Sequence, residues 1–495
     1  MTLKATLRCA VLLALVAIGM LATSMPSFAE VQNIKVGGDI TVRAFHRENL
    51  DLNQNAREGS PAAGDLEDED DFIQQTTALN VGADLTENVS AFVRITNERT
   101  YGLLSSSTTA ADGDFDISQG YVKLKELFYT PLTATIGTQP ITWGRGFVVG
   151  SNLITSIIGA ADDRHASLAA NEFTDFTAFD AIRLQADFGG TAAMDMPLTI
   201  DGIYVKNNER IAGSPDDETT MGLNIGTRLD AANSEFETYF LNRRDKSQAT
   251  TSNAIKDTSV TTFGVRGSAK PTEGTYVYGE LGYQWGTRDA DPDTTEQAAG
   301  AALAAGDAHQ AWAANLGADH TFTDISMTPK LGGEWIFFSG KDIDGAANGW
   351  DPMLRGYFTT AIREFQTADG VGGFYATNQR NVTGGASNQH QLSLYGSFNP
   401  IEDLTVSPRL SWFILHAGAI PCAGVAGCDG KRKHHAGTEW DTVVNYAYTE
   451  DVSFGMIYAL FWPGNTFRTA VGGGAASRGG DSTAQELITS VSVKF

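Results

Sequence analysis

From residue 34 onward, apolar and polar side chains alternate with a period of two, in segments of about nine to fourteen residues. In 34–47 the even positions Ile34, Val36, Ile40, Val42 and Ala44 are apolar or small, while the odd positions include Lys35, Asp39, Thr41, Arg43 and Arg47. A strand sends successive side chains to opposite faces, so this pattern makes one face for oil and one for water. The alternation returns in 179–188, 221–230, 261–269, 440–448 and 487–495. Read along the whole chain, it predicts eighteen strands, at 34–47, 72–85, 89–99, 117–128, 132–139, 178–188, 198–207, 220–230, 234–244, 259–270, 274–287, 309–322, 327–338, 388–398, 403–416, 437–449, 451–462 and 484–495. The alternation is weakest in 117–128, 198–207 and 234–244.

The connections narrow the fold further. Tight, turn-rich links such as 86–88, 129–131, 231–233, 271–273, 399–402 and 449–450 alternate with long ones at 48–71, 100–116, 140–177, 208–219, 245–258, 288–308, 339–387, 417–436 and 463–483. A transmembrane antiparallel barrel has short periplasmic turns and long outer loops, whereas a soluble sandwich has no reason to gather its long loops at one end. Closure also satisfies the backbone hydrogen bonds that lipid cannot, and it removes the sheet edges. The fold class expected is therefore all-β, a transmembrane antiparallel β-barrel of about eighteen strands. No second apolar run of about 18 residues follows the amino terminus, which excludes a helical membrane protein.

The amino terminus sets the compartment. Lys4 and Arg8 precede an apolar stretch, 10–22, and Pro26-Ser27-Phe28-Ala29 supplies small residues at a cleavage point. Residues 1–29 thus read as a secretory signal peptide, with 30–495 as the barrel. Losing the signal takes Lys4, Arg8 and Cys9 with it and leaves a mature charge of −26. Cys422 and Cys428 remain, and in an oxidising compartment they are expected to form a short loop disulfide. The last strand places Leu487, Val491, Val493 and Phe495 on one face and ends at an aromatic carboxy terminus, like strands recognised by the barrel assembly machinery.

Three stretches resemble the alginate export family of outer-membrane porins. They are Ala134 through Gln139-Pro-Ile-Thr-Trp-Gly-Arg145-Gly-Phe, then Phe179-Asp-Ala-Ile-Arg-Leu184, and Gly437-Thr-Glu-Trp-Asp-Thr through Tyr458-Ala-Leu-Phe-Trp-Pro-Gly464. Thr138-Gln139-Pro140 departs from the family's usual Gly-Arg-Gln, and the basic residue is displaced to Arg145. The resemblance implies eighteen strands and a bacterial outer-membrane location, but it does not transfer a solute.

A pore selects by the charges that line it. Phased by the apolar face, the expected lining includes Arg43, Arg47, Arg94, Arg183, Arg228, Arg266, Lys330 and Arg409, with Lys35, Lys123, Lys125 and Lys494. Facing them are Asp39, Asp84, Glu98, Asp187, Asp230, Glu280, Asp319, Glu334, Glu439 and Asp441. Twelve bases against ten acids make a nearly neutral lumen in an acidic protein, so the excess acid belongs to the loops. Many of these charges are expected to pair across strands. In loop 140–177, with its apolar run 153–158, Arg145, Arg164 and His165 are the candidates for a constriction, and loop 339–387 is a candidate cap. The acidic run 65–71 lacks the spacing of a calcium loop and reads as a solvated face.

The expected function is a porin passing small hydrophilic solutes, anionic ones among them. The alternatives are export of an anionic, alginate-like polysaccharide, or a sheath for a periplasmic electron-transfer partner. No Gly-x-Ser-x-Gly turn or haem-binding Cys-x-x-Cys-His motif occurs, so neither an enzyme nor a cofactor is expected. The expected partners are outer-membrane lipid and lipopolysaccharide, the assembly machinery and the solute. Nucleic acid is excluded because no basic footprint exists for its phosphates.

Overall fold

A computed structural model describes residues 33–50, 52, 69–102, 115–152, 168–189, 197–208, 217–229, 233–246, 258–288, 307–340, 349–365, 387–419, 431–467 and 482–495. The strands are β1 Asn33–Glu48, β2 Glu69–Asp84, β3 Val89–Thr100, β4 Asp116–Leu124, β5 Leu132–Gln139 and β6 Phe179–Phe188. They continue with β7 Leu198–Asn208, β8 Glu218–Leu229, β9 Ser234–Asp245, β10 Thr258–Ala269, β11 Thr275–Arg288 and β12 Asp307–Thr321. The last six are β13 Lys330–Phe338, β14 Gln389–Ile401, β15 Leu404–Ala419, β16 Lys433–Ala447, β17 Val452–Pro463 and β18 Ala484–Lys494.

Every strand pairs antiparallel with its neighbours in sequence, and β1 also pairs with β18, which closes the sheet. At the seam Ile40 faces Val493 and Phe45 faces Ile488. The carboxy-terminal Phe495 donates its backbone N–H to Gly38 and accepts one from it, at 3.0 and 2.8 Å. Gly38 is required by this close approach, because a β-carbon there would lie 2.7 Å from the Phe495 ring.

The outer face carries exposed Ile182, Leu184, Met221, Leu223, Phe263, Leu281, Leu331 and Leu394. No described helix is long and apolar enough to cross a membrane; the strands do so, with the alternation that lipid on one side requires. Several boundaries differ from expectation by up to four residues: β2 begins at Glu69, β15 runs on to Ala419 and β16 begins at Lys433. Strand β4 ends at Leu124, so Lys125 leaves the barrel wall, because Glu126, Phe128 and Tyr129 take positive φ in a tight turn. Strand β13 begins at Lys330, since Met327 and Thr328 are also left-handed. The expected signal peptide, 1–29, lies outside the described residues.

Candidate functional site: an inward plate of two loops

On the long-loop side, the inner faces of β6 to β13 are apolar: Phe179, Ala181, Ile203, Val205, Leu241, Val260, Ala313, Ile336 and Phe338 are buried. They receive two loop segments that turn into the barrel and bring Ile141, Trp143, Phe147, Val148, Val149, Trp350, Met353 and Leu354 into the same cluster. The strands make room with glycine, since a β-carbon at Gly222 would stand 2.7 Å from Trp143, and one at Gly282 would stand 2.7 Å from Trp350.

The two segments are also joined to each other. Leu354 donates its N–H to Val148 at 3.1 Å, Gly150 to Leu354 at 2.7 Å and Gly356 to Gly146 at 2.9 Å. Gly146 has φ +80°, a left-handed turn that glycine tolerates without strain. Gly150 and Gly356 touch backbone to backbone, where any β-carbon would collide. The loops therefore form one plate across part of the interior.

Arg145 projects from this plate. Its guanidinium lies 3.6 Å from the centroid of the Tyr278 ring and 4.7 Å from that of Tyr357, and it hydrogen-bonds the Tyr357 hydroxyl. Such stacking over ring faces attracts a cation. Both tyrosines donate to Glu334 Oε1, at 2.9 and 2.8 Å, while Arg409 reaches Oε2 at 3.1 Å. Burial opposes the charge of Arg145, but Tyr357, Tyr278 and Glu334 outweigh it and hold the pKa above its ordinary value. Its side chain stays 26% exposed, beside Phe147, Arg266, Tyr278, Glu280 and Asn315.

A third segment, 168–178, lines the wall opposite. Arg47, buried, pairs with Glu172 and with Glu486. Arg94 binds Asp39 at 2.8 Å and Asp175 at 2.6 Å, and Glu98 accepts from the Thr174 hydroxyl and the Asp175 N–H. The plate's trailing end, 355–365, closes the ring. Arg355 and Glu364 form a fully buried ion pair. The single π-helical turn Ala361–Phe365 gives its first N–H groups to the wall: Ala361 to Asp441, and Ile362 and Arg363 to Glu439. Burial disfavours the charge on Glu364, yet Arg355 and Thr359 prevail and keep its pKa below the ordinary value. Burial pulls Arg363 down to about 10.

The lining expected from the sequence maps unevenly onto this interior. Arg183 pairs with Asp201 at 2.6 Å, and Arg266 pairs with Glu237. Arg43 lies 5.0 Å from the Phe173 ring, with Nη1 buried and without a hydrogen-bond partner among the described residues. Lys330 is half-buried at the start of β13, and Arg228 is exposed at the periplasmic end of β8. Arg164, His165, the run 153–158, Asp230, Cys422 and Cys428 lie outside the described residues. Sequence reasoning missed Asp201, Glu237 and Glu486, and it missed the tyrosines around Arg145. Tyr278 was within reach, because it shares the inward phase of Glu280. Among the described residues, His46, Glu69 and Asp71 are grouped closely enough to hold a metal ion, and they sit half-exposed to exposed at the top of β1 and β2.

Comparison with known proteins agrees with this architecture. A family model described as Alginate export matches residues 41–481. Among solved structures, Pseudomonas aeruginosa OccK9 (OpdG) superposes with a TM-score of 0.51 at 13% identity, covering 94% of this chain and 99% of that one. Acinetobacter baumannii OccAB4 gives 0.51 at 11% identity, with 95% and 100% covered. A BenF-like porin from Pseudomonas fluorescens Pf-5 gives 0.50 at 10%, with 94% and 99% covered. These likenesses concern the fold. No curated protein matches the chain in sequence.

Proposed function

Since this chain belongs to the alginate export family of outer-membrane barrels, we propose that it is a diffusion channel for small hydrophilic solutes, with a mild preference for anions. The observation that carries this reading is the setting of Arg145, a charged group kept partly open to the lumen on an aromatic platform. Arg47, Arg94, Arg183 and Arg266 each meet a carboxylate, whereas Arg145, 4.0 Å from Glu334, shares that one carboxylate with Arg409 at 3.1 Å, which leaves one positive charge in excess at the plate. A field concentrated at one residue supports weak selectivity rather than a polyanion track. That the described residues form no such track also fits the weak excess of lining bases in the sequence.

Export of an alginate-like polymer is the second reading, and the family's description is what favours it. The plate and the segment 168–178 weigh against it, since both narrow the interior through which a chain would thread. The same packing speaks against a sheath around a protein partner, which would compete with the loops for the lumen. The residues brought together at Arg145 are a cation, phenols and an acceptor carboxylate with no activated nucleophile among them, which favours a channel over an enzyme. Single-channel recording with added oligouronate and, separately, small carboxylates tests the reading. Weak anion preference with brief block by small carboxylates is expected; persistent block by oligouronate alone would favour the exporter.

A further inference from the structure

At the extracellular end of β1 and β2 the pairing runs without a break up to Glu48 opposite Glu69, so the face of each side chain is fixed. Phe45 stacks on Phe72 and packs on Phe173 of the inward segment 168–178, so this pair faces the interior. The pairs on either side of it, Ala44 with Ile73 and His46 with Asp71, therefore face outward, and so does Glu48 with Glu69. Ile73 is exposed on that outer face, and Glu69 lies four residues further out, about 13 Å of strand. The upper two pairs thus stand above the apolar wall, half-exposed to exposed.

Their charges do not balance. Glu48 and Glu69 are directly opposed, an arrangement of like charges that destabilises a strand pair. His46 stands beside both, with Nδ1 2.9 Å from Asp71 Oδ1 and 3.8 Å from Glu69 Oε1, and Nε2 3.2 Å from Glu48 Oε1. Among the described residues no Lys or Arg meets these carboxylates, since the adjacent Arg47 turns inward to Glu172 and Glu486. Even a protonated His46 leaves two negative charges in excess, three carboxylates less one imidazolium.

The geometry has the shape of a metal site. His46, Glu69 and Asp71 each offer one ligand atom within 4.8 Å of the others. Ligand atoms around a tetrahedral Zn²⁺ stand about 3.3 Å apart, and the two distances from Nδ1 bracket that value. The other ring nitrogen is held as a metal-binding histidine needs. A carboxylate behind the ring fixes the tautomer that presents the opposite nitrogen to the ion, and Glu48 is that carboxylate, itself hydrogen-bonded by Gln485 of β18.

We propose that His46 Nδ1, Glu69 and Asp71 bind a divalent transition-metal ion of the zinc class, with Glu48 orienting the imidazole. An imidazole beside two carboxylates favours such an ion over Ca²⁺ or Mg²⁺, which take oxygen ligands. The ion replaces the proton on Nδ1 and offsets the excess negative charge. It joins β1 to β2 beside the seam with β18. The site lies on the outside of the wall, so the proposal does not rest on the solute of the channel.

The test is zinc titration of the full, untagged barrel folded in detergent, read against a fluorescent chelator, together with the temperature at which the heat-modifiable gel band unfolds. The wild type is expected to bind one equivalent of Zn²⁺ more than H46Q, any binding at other histidines, such as the adjoining His390 and His416, being common to both. E69Q/D71N is expected to lose the same equivalent. E48Q keeps all three ligands and is expected to bind about ten- to a hundredfold more weakly. Zn²⁺ should raise the unfolding temperature of the wild type more than that of H46Q, because only the folded register assembles the site. If E69Q/D71N fails to fold, the wild type against H46Q and E48Q decides the question. Equal zinc uptake by wild type and H46Q, undiminished binding by E69Q/D71N or E48Q, or displacement of the ion by an equal concentration of Ca²⁺ would each overturn the proposal.

Discussion

Trp350 lies against Gly282 so closely that a β-carbon on the glycine would stand 2.7 Å from the indole ring. That contact ties the longest connection of the chain to the inner wall of β11. Replacing Gly282 with leucine puts a branched side chain where the indole sits, and overpacking of this kind costs about 1–3 kcal/mol. The barrel wall is unaffected, because Gly282 meets Gly264 and Ala313 across the strands. G282L is expected to fold normally on a heat-modifiable gel, yet to show larger and noisier single-channel conductance as the plate is expelled.

The plate should also respond to acid. Glu364 has a pKa below the ordinary carboxylate value, so it stabilises the docked segment at pH above its unfolded value. That contribution is lost as pH falls through the lower folded value. Glu364 is surrounded by Arg355, Arg363, Glu439 and Asp441, with the Thr359 hydroxyl and Gln391 as further partners. Below about pH 4 the conductance of the wild type is expected to rise. E364Q should already show the raised conductance at neutral pH and a flatter response to acid. An identical pH profile in wild type and E364Q would remove Glu364 from the account.

The buried pair itself supplies a sharper mutational signature. Arg355→Met leaves Glu364 charged without its ion partner, a change that costs about 3–5 kcal/mol at a buried pair. The double variant R355M/E364L removes both charges and should recover much of that loss. Protease accessibility of 355–365 in the folded barrel measures it: the single variant is expected to be cut faster than the double one.

The seam makes an assembly prediction. Gly38→Val would drive a side chain into Phe495 and the carbonyl of Ala78, where β1, β2 and β18 meet. Slower folding into lipid vesicles and a lower unfolding midpoint in urea are expected, whereas Gly189→Val, with open space around its β-carbon, should behave as wild type.

The wall of this barrel was readable because lipid imposes alternation on every strand. Where the alternation faded, the structure supplies the reason. In β7 the inward residues Ile203 and Val205 are apolar because they receive the plate, and in β9 Tyr239 and Leu241 do the same. Both faces of those strands are therefore apolar, and Asp201 and Glu237 could not be assigned by phase. The ion pairs were less legible still. Arg94 meets Asp175, 81 residues away on a loop that folds inward, and no periodicity predicts such a partner. Arg145 could be singled out as a constriction residue, but its tyrosine platform depends on Tyr357, which arrives from the second loop.

The most direct test is the reversal potential of single channels in planar bilayers under a salt gradient, for the wild type and Arg145→Gln. Ohmic openings with a small anion preference are expected of the wild type. The variant is expected to lose that preference while keeping most of its conductance. Absence of current from correctly folded protein, or a selectivity that R145Q leaves untouched, would contradict it.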